Sequence, residues 1–178
     1  YNFWWNYLFR GGYVHANILY SGYKIADRMA NYDITSSYPA QMNLRGYPMS
    51  KFEAAEFTTL PEFEKLCREK CVIFIARFTN LKATTSHCIE SYNKVMDIKD
   101  YILDNGRVRK AASMTVALTE IDWQIYKKFY TWDGEPYIYD IYTAIRGFLP
   151  DYLLNVLNSH YCEKAKMKNL GWHKDPEK

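Results

Sequence analysis

The sequence predicts an α+β fold in which helices flank a mostly antiparallel sheet. Residues 72–79 form an apolar run with hydrophobic residues on both faces, which is typical of a strand in the middle of a sheet. Asn105-Gly106 lies between two strand-like runs, 98–103 and 107–111, and this dipeptide strongly favours a β-hairpin. The order of predicted elements is β-β-β-α, α-β, β-β-β-α-β, α, with no repeat or long linker.

The N-terminal part of the chain predicts three strands and a helix. Residues 13–20 alternate apolar and polar side chains, and Ser21-Gly22 indicates a turn after them. Residues 23–31 are then expected to run back antiparallel and to lead into a third strand at 32–34. Pro39 suits the first position of a helix that continues to Leu44.

The remaining elements follow from periodicity and from residues that begin helices. They are a helix from Leu60-Pro61, a strand over 113–118, a helix capped by Thr119 and Asp122, a strand over 137–145, and a helix from Pro150. The last helix ends in a basic segment, Lys164, Lys166 and Lys168, which we interpret as a solvated helix end whose function the sequence does not reveal.

The composition excludes some classes of protein without choosing one. The net charge of +3 permits nucleic-acid contact but does not argue for it. The 17 Tyr, 9 Phe and 5 Trp could build a core or stack on bases or sugars. The cysteines (Cys67, Cys71, Cys88 and Cys162) lack zinc-type spacing and fit a reduced, cytoplasmic compartment. No membrane partner is expected, because no long apolar run occurs.

One stretch, residues 32–42, combines features that suit a phosphate held by a metal. Asp33 closes a short apolar run, hydroxyl residues follow, and Tyr38-Pro39 opens a helix whose N–H groups would face an anion. Taken alone, the same residues are also explained by a strand, a capped turn and a helix with no ligand. Arg10-Gly11-Gly12 likewise reads either as a phosphate-contacting loop or as a tight connector.

Three features together resemble the family B DNA polymerases, most closely the protein-primed branch of bacteriophages and linear plasmids. Residues 33–39, Asp-Ile-Thr-Ser-Ser-Tyr-Pro, match the family's motif A, Asp-x-x-Ser-Leu-Tyr-Pro, and Ala-Gln-Met at 40–42 continues it in the protein-primed manner. Residues 9–12, Phe-Arg-Gly-Gly, are similar to the Tyr-x-Gly-Gly/Ala motif that contacts single-stranded template. The order of elements after motif A also resembles that branch.

The resemblance implies roles for the residues of the motif A stretch. Asp33 would be one of two catalytic aspartates that hold Mg²⁺ or Mn²⁺ ions in the full-length parent, and the backbone carbonyl of Ile34 would be a further metal ligand. Ser36, Ser37 and Tyr38 would bind the triphosphate of the incoming deoxynucleotide. Ser37 stands where the family has Leu. This difference has little effect on the implied role, because the residue would bind the triphosphate through its backbone N–H.

The glycine motif would bind the template strand. Gly11 and Gly12 would let a phosphate approach the backbone, and Arg10 would supply positive charge. Phe9 stands where the family has Tyr and therefore lacks the hydroxyl donor.

Two family motifs are missing from the sequence. It has no Asp-Thr-Asp motif to supply the second aspartate, and residues 158–162, Asn-Ser-His-Tyr-Cys, echo a fingers motif but lack its Gly, so we interpret them as a coincidence. The chain also begins at Tyr1 rather than Met. We therefore expect a polymerase fragment that is inactive by itself, because one carboxylate cannot hold two metal ions.

The resemblance also implies a division of the chain and a set of partners. Residues 1–80 would be part of the palm, 81–147 a hairpin-rich insertion like the one that docks a terminal protein, and 148–178 a helix leading toward the fingers. Template-primer DNA, deoxynucleoside triphosphates and a terminal priming protein are the expected partners, in the cytoplasm of a bacterial host. A non-catalytic DNA- or protein-binding module, or an aromatic-rich carbohydrate- or protein-binding domain, remains the alternative.

Overall fold

A computed structural model of the chain describes residues 2–12, 20, 22–24, 30, 32–34, 37–86 and 88–170. The helices are α1 (Asn2–Leu8), α2 (Ser37–Leu44), α3 (Leu60–Glu69), α4 (Glu120–Phe129) and α5 (Asp151–Asn169). The strands are β1 (Tyr47–Pro48), β2 (Glu53–Ala54), β3 (Cys71–Ala83), β4 (Val95–Asp104), β5 (Arg107–Thr119), β6 (Tyr130–Thr131), β7 (Tyr137–Ala144) and β8 (Arg146–Gly147). A short 3₁₀ turn, Tyr92–Lys94, precedes β4.

The chain divides into two compact units. The first unit contains residues 1–26 and 51–144, and the second contains residues 27–50 and 145–178. These bounds differ from the predicted divisions at 80/81 and 147/148. Strand β3 was predicted to precede the insertion, yet it hydrogen-bonds with β5 and β7. This pairing joins residues from both sides of the predicted division at 80/81 into one unit.

The first unit is built on one antiparallel sheet. Its strand order is β2-β7-β3-β5-β4, and β6 pairs with the end of β3. Each of these strand pairs is antiparallel. Together with the flanking helices, this sheet confirms the predicted α+β fold class and the central position of the strand at 72–79.

The core of the first unit lies where α3 and α4 pack on the sheet. Phe74 and Phe78 of β3 are fully buried, and the ring of Phe63 from α3 meets that of Phe74 edge to face at 4.8 Å. Trp123 of α4 lies 5.8 Å from the Phe63 ring. Its indole N–H donates to Glu64 Oε1 at 3.0 Å, which connects the two helices at their solvent side. Aromatic rings thus fill this core, as the composition permits.

Both helices of this core begin at capping boxes. The side chain of Thr59 accepts from the backbone N–H of Glu62, and the Glu62 carboxylate accepts in return from the backbone N–H of Thr59. Thr119 and Asp122 make the same reciprocal pair of hydrogen bonds before α4. In each box the donors are backbone N–H groups at the helix start, which have no partner within the helix. The predicted helix starts near residues 60 and 119 are therefore confirmed.

The predicted hairpin is also confirmed, but its second strand is longer than expected. Asn105 and Gly106 both have positive φ, +49° and +72°, as a two-residue turn of this kind requires. The strand predicted over 113–118 is confirmed, but it is not a separate strand, because β5 continues without a break through Ala111, Ala112 and Ser113. The small side chains of these residues predict the end of a strand, yet the residues pair with β3 on one side and with β4 on the other.

The second unit is smaller and less buried. β1 pairs with β8, and the side-chain amides of Asn43 in α2 and Asn158 in α5 exchange two hydrogen bonds of 3.1 Å. The predicted helix from Pro150 is confirmed as α5, whose described residues include none that is buried. Its apolar stripe is therefore only half-covered, with Leu154 and Leu157 partly buried and Val156 exposed.

Three predicted strands near the N-terminus have different outcomes. Residues 32–34 have no regular secondary structure, so the strand predicted there was wrong. The strand predicted over 13–20 and the antiparallel return over 23–31 lie almost wholly outside the described residues.

Candidate functional site

The described residues of the motif A stretch belong to the second unit, and its Asp33, Ile34 and Tyr38 are open to solvent. Asp33 and Ile34 are exposed and lie in backbone without regular structure, and α2 begins at Ser37. The ring of Tyr38, in the first turn of α2, is 85% exposed. Thr35 and Ser36 lie outside the described residues, so the predicted triphosphate role of Ser36 has no structural counterpart to report.

The first turn of α2 carries the backbone N–H groups of Ser37, Tyr38 and Ala40, since Pro39 has none. The first N–H groups of a helix have no partner within it, and the helix dipole adds partial positive charge there. The first turn of α2 carries no acidic residue that would offset this charge. Asp33 precedes this turn and carries a carboxylate, which is the type of oxygen ligand that Mg²⁺ prefers.

The described residues do not complete a metal site around that carboxylate. Among them, no group of three or more His, Cys, Asp or Glu side chains is placed to hold a metal ion. Asp33 and the Ile34 carbonyl are suitable donors by type but too few to hold one. We therefore derive no metal-dependent step from this chain.

The glycine motif belongs to the first unit and lies beside a pocket of about 590 Å³. Gly11 and Gly12 are exposed and line it, and a methyl group added at either position would meet no atom of the described residues within 4 Å. Neither glycine has positive φ. Backbone conformation and packing within the described residues therefore do not require glycine at these two positions.

Arg10 differs from its glycine neighbours because its guanidinium points into the protein. Nη1 forms an ion pair with Glu90 Oε2, and Nη2 donates to the backbone oxygen of Ala117 at 2.9 Å. Nε lies 4.0 Å from Asp122 Oδ1, and the side chain is only 22% exposed. The guanidinium could contact a template phosphate only by giving up some of these internal contacts, so the charge assigned to it by the resemblance is already compensated.

Glu90 is the centre of this network. It is 1% exposed, and its Oε2 also accepts a hydrogen bond from the hydroxyl of Tyr126. Its backbone N–H donates to the hydroxyl of Tyr130 at 3.2 Å, and that hydroxyl donates to the Val108 carbonyl at 2.7 Å. Strand β5 and helix α4 thereby fix a loop residue that has no regular secondary structure of its own.

The charges in the network shift one another's pKa values. Burial raises the pKa of the Glu90 carboxyl, and the positive charge of Arg10 opposes that rise. Burial alone would lower the pKa of Arg10, but the Glu90 carboxylate reverses this and raises it. Burial and the Glu90 charge raise the pKa of Tyr126 well above its ordinary value, which keeps its hydroxyl protonated as a donor.

The network is incompletely paired. Arg10 Nε and Glu90 Oε1 are both buried, and neither has a hydrogen-bond partner within the described part of the chain. A buried polar atom without a partner is unfavourable by about 1–3 kcal/mol. Such atoms often mark a place where a water molecule or a ligand binds.

Sequence reasoning found the glycine motif but missed the residues behind it. Glu90 lies in the segment 82–97, which reads as a patternless polar loop, and nothing local distinguishes it from a solvated glutamate. Asp122 was recognised only as a helix cap, whereas it also approaches Arg10. The one available signal was the pair of apolar residues before Glu90, Cys88 and Ile89, which is too short to be specific.

Comparison of the chain with protein-family models, with curated proteins and with solved structures found no match in any of the three. In the part of the chain that the structure describes, no helix is both long enough and apolar enough to cross a membrane.

Proposed function

We propose that this chain is part of a DNA-directed DNA polymerase of the protein-primed family B type, acting in the cytoplasm of a bacterial host. Its parent would transfer nucleotides to a growing strand with Mg²⁺ or Mn²⁺. Template-primer DNA, deoxynucleoside triphosphates and a terminal priming protein would be its partners. The proposal begins from the sequence motifs at 9–12 and 33–39 and is supported by where their residues lie.

The observation that carries the proposal is the exposure of Asp33 and Tyr38 on either side of the start of α2. Both side chains are exposed and are therefore open to an approaching ligand. In the parent, Asp33 would share the metal ions with an aspartate from outside this chain. The first turn of α2 would offer its N–H groups to the triphosphate.

The glycine motif supports the same proposal through a different property. Among the described residues, nothing lies within 4 Å of a Cβ added at Gly11 or Gly12, so the backbone there is open to the close approach of another molecule. A template strand would approach these two residues, while Arg10 holds the motif in place from behind through Glu90.

Primer extension tests the catalytic part of the proposal. The 178-residue chain, supplied with primed template, Mg²⁺ and all four nucleotides, is expected to incorporate nothing, because it carries one of the two aspartates. Robust incorporation by the purified chain would contradict this account of an incomplete site.

A binding module without chemistry is the second candidate, and the first unit favours it. That unit has its own sheet, its own buried core and a pocket. A titration with DNA at several salt concentrations tests binding, because phosphate contacts predict an affinity that falls steeply as salt rises. Saturable binding together with an inactive Asp33→Asn parent would favour the polymerase over the module.

A further inference from the structure

The pocket beside the glycine motif combines three kinds of surface that one ligand could satisfy together. Its lining includes cationic side chains, an apolar wall and the buried carboxylate of Glu90. Its volume of about 590 Å³ falls within the usual range for small-molecule sites, roughly 300–1,000 Å³. Of its lining residues, the glycine motif accounts only for Arg10, Gly11 and Gly12.

The cationic part consists of Lys94 and Arg107. Lys94 Nζ donates to the backbone oxygen of Asn6 at 2.5 Å, in the last turn of α1. An ammonium group has three N–H donors, so this contact leaves two for another acceptor. Arg107 Nη1 donates to the Ile89 carbonyl at 2.6 Å and places a second positive charge in the same lining. An anionic group such as a phosphate is the complement of this part.

The apolar part is formed by Ile125 and Phe129 of α4, with Ile89 from the preceding loop. Ile125 is 36% exposed, so part of its side chain is available to a ligand in the pocket. A planar group lying against an aromatic ring and an aliphatic side chain gains both apolar burial and stacking. A nucleobase has this shape, and its sugar connects it to a phosphate.

The third part is the unpaired oxygen of Glu90. The carboxylate is 1% exposed, lines the pocket, and leaves Oε1 without a hydrogen bond from any residue that the structure describes. Because Oε1 is itself buried, a ligand reaches it only when the lining side chains move aside, and an N–H donor placed there would then satisfy that oxygen. The amino groups of nucleobases are such donors, whereas an apolar ligand or a bare phosphate is not.

We propose that this pocket binds one unstacked nucleotide of a single strand, with the phosphate at Lys94 and Arg107 and the base against Ile125 and Phe129. The Gly11-Gly12 backbone at the rim would let the strand pass close to the protein. This proposal rests on the proposed function in one respect, which is that the bound strand would be the template. A free nucleotide has the same chemistry, so the test must separate the two sources.

Fluorescence anisotropy of the 178-residue chain with a labelled, short single-stranded oligonucleotide is the experiment. Phe129→Leu, which keeps an apolar side chain but removes the ring, is expected to weaken binding roughly fivefold or more. Lys94→Gln is expected to weaken binding and to reduce the slope of log affinity against log salt concentration by about one. Lys65→Gln is the matched control, because Lys65 is an exposed lysine outside the pocket lining. Thermal unfolding of each variant shows whether it has folded.

Each outcome supports or overturns the inference. Weakened binding in both folded pocket variants, with Lys65→Gln unchanged, supports it, as does a mononucleotide that competes only at far higher concentration. Equal affinity for mononucleotide and oligonucleotide would overturn the single strand as the ligand. Oligonucleotide binding that neither pocket variant changes would overturn the pocket while leaving the proposed function standing. A parent without polymerase activity would instead defeat the proposed function and leave a binding result intact.

Discussion

The glycine motif and the motif A stretch are both short, recognisable runs, yet the protein holds them very differently. Behind Gly11 and Gly12, the side chain of Arg10 is tied to Glu90, 80 residues away in the sequence, and to the backbone of β5. Asp33 and Tyr38 are exposed. Contacts within its own unit therefore fix the glycine motif, whereas Asp33 and Tyr38 of the motif A stretch are exposed to solvent.

The largest expected difference between the two regions is in stability. Arg10→Met leaves the Glu90 carboxylate buried without its cation, and we expect it to lower the free energy of unfolding by about 3 kcal/mol. Asp33→Asn changes an exposed residue and is expected to stay within about 0.5 kcal/mol of the wild type. Urea unfolding of both variants measures this, and equal effects would remove the contrast between the two regions.

The penalty for Arg10→Met should also depend on pH. Burial raises the folded-state pKa of the Glu90 carboxyl. The contribution of such a group to the free energy of unfolding is fully present below the unfolded carboxyl pKa, about 4.3, and is lost as the pH rises through the folded-state pKa. Without Arg10 to oppose the rise, this loss is larger. The stability gap between wild type and Arg10→Met should therefore widen from pH 4 to pH 7. A gap that stays constant would mean that Glu90 does not change its protonation.

The two capping boxes offer a smaller and more selective comparison. Thr119→Ala and Thr59→Ala should each destabilise the protein by about 1 kcal/mol, the usual effect of losing an N-cap. Only Thr119→Ala also frees Asp122, whose Oδ1 approaches Arg10. The affinity for the oligonucleotide should therefore change in Thr119→Ala and stay the same in Thr59→Ala. If neither variant changes binding, Asp122 has no influence on the pocket.

The smallest expected effect on stability is at the glycines. Since an added methyl at Gly11 or Gly12 meets none of the described residues within 4 Å and neither φ is positive, Gly→Ala should leave stability unchanged or raise it by up to about 1 kcal/mol. The same variants should weaken binding of single-stranded DNA, because the methyl group occupies the rim. Alanine variants that bind as well as the wild type would show that no strand passes there.

Much of the fold was predictable because its signals are local. Alternating residues in β3, Asn105-Gly106 at the hairpin and Thr119 before α4 each determine the structure of their own segment. The Arg10–Glu90 pair was not predictable, since it joins residues from a loop and a connector that carry no periodic pattern. The continuous β5 was missed because Ala111 to Ser113 lack the bulky side chains that typify strands, although neighbouring strands support them on both sides.

The candidate site was predictable only as far as its motif residues. Asp33, Tyr38 and the glycines were found from their order in the sequence, and all of them are exposed in the structure. Glu90 and Tyr126, which hold Arg10, required the three-dimensional structure, because their importance arises from burial rather than from spacing.

Primer extension by the parent protein that carries this chain tests the central proposal most directly. Asp33→Asn keeps the size of the side chain but removes the charge that a metal ion needs, and Asp151→Asn in α5 is the matched control in the same unit. The account predicts that Asp33→Asn abolishes Mg²⁺-dependent incorporation, while Asp151→Asn incorporates nucleotides like the wild type. Full activity in a folded Asp33→Asn parent would contradict the proposal.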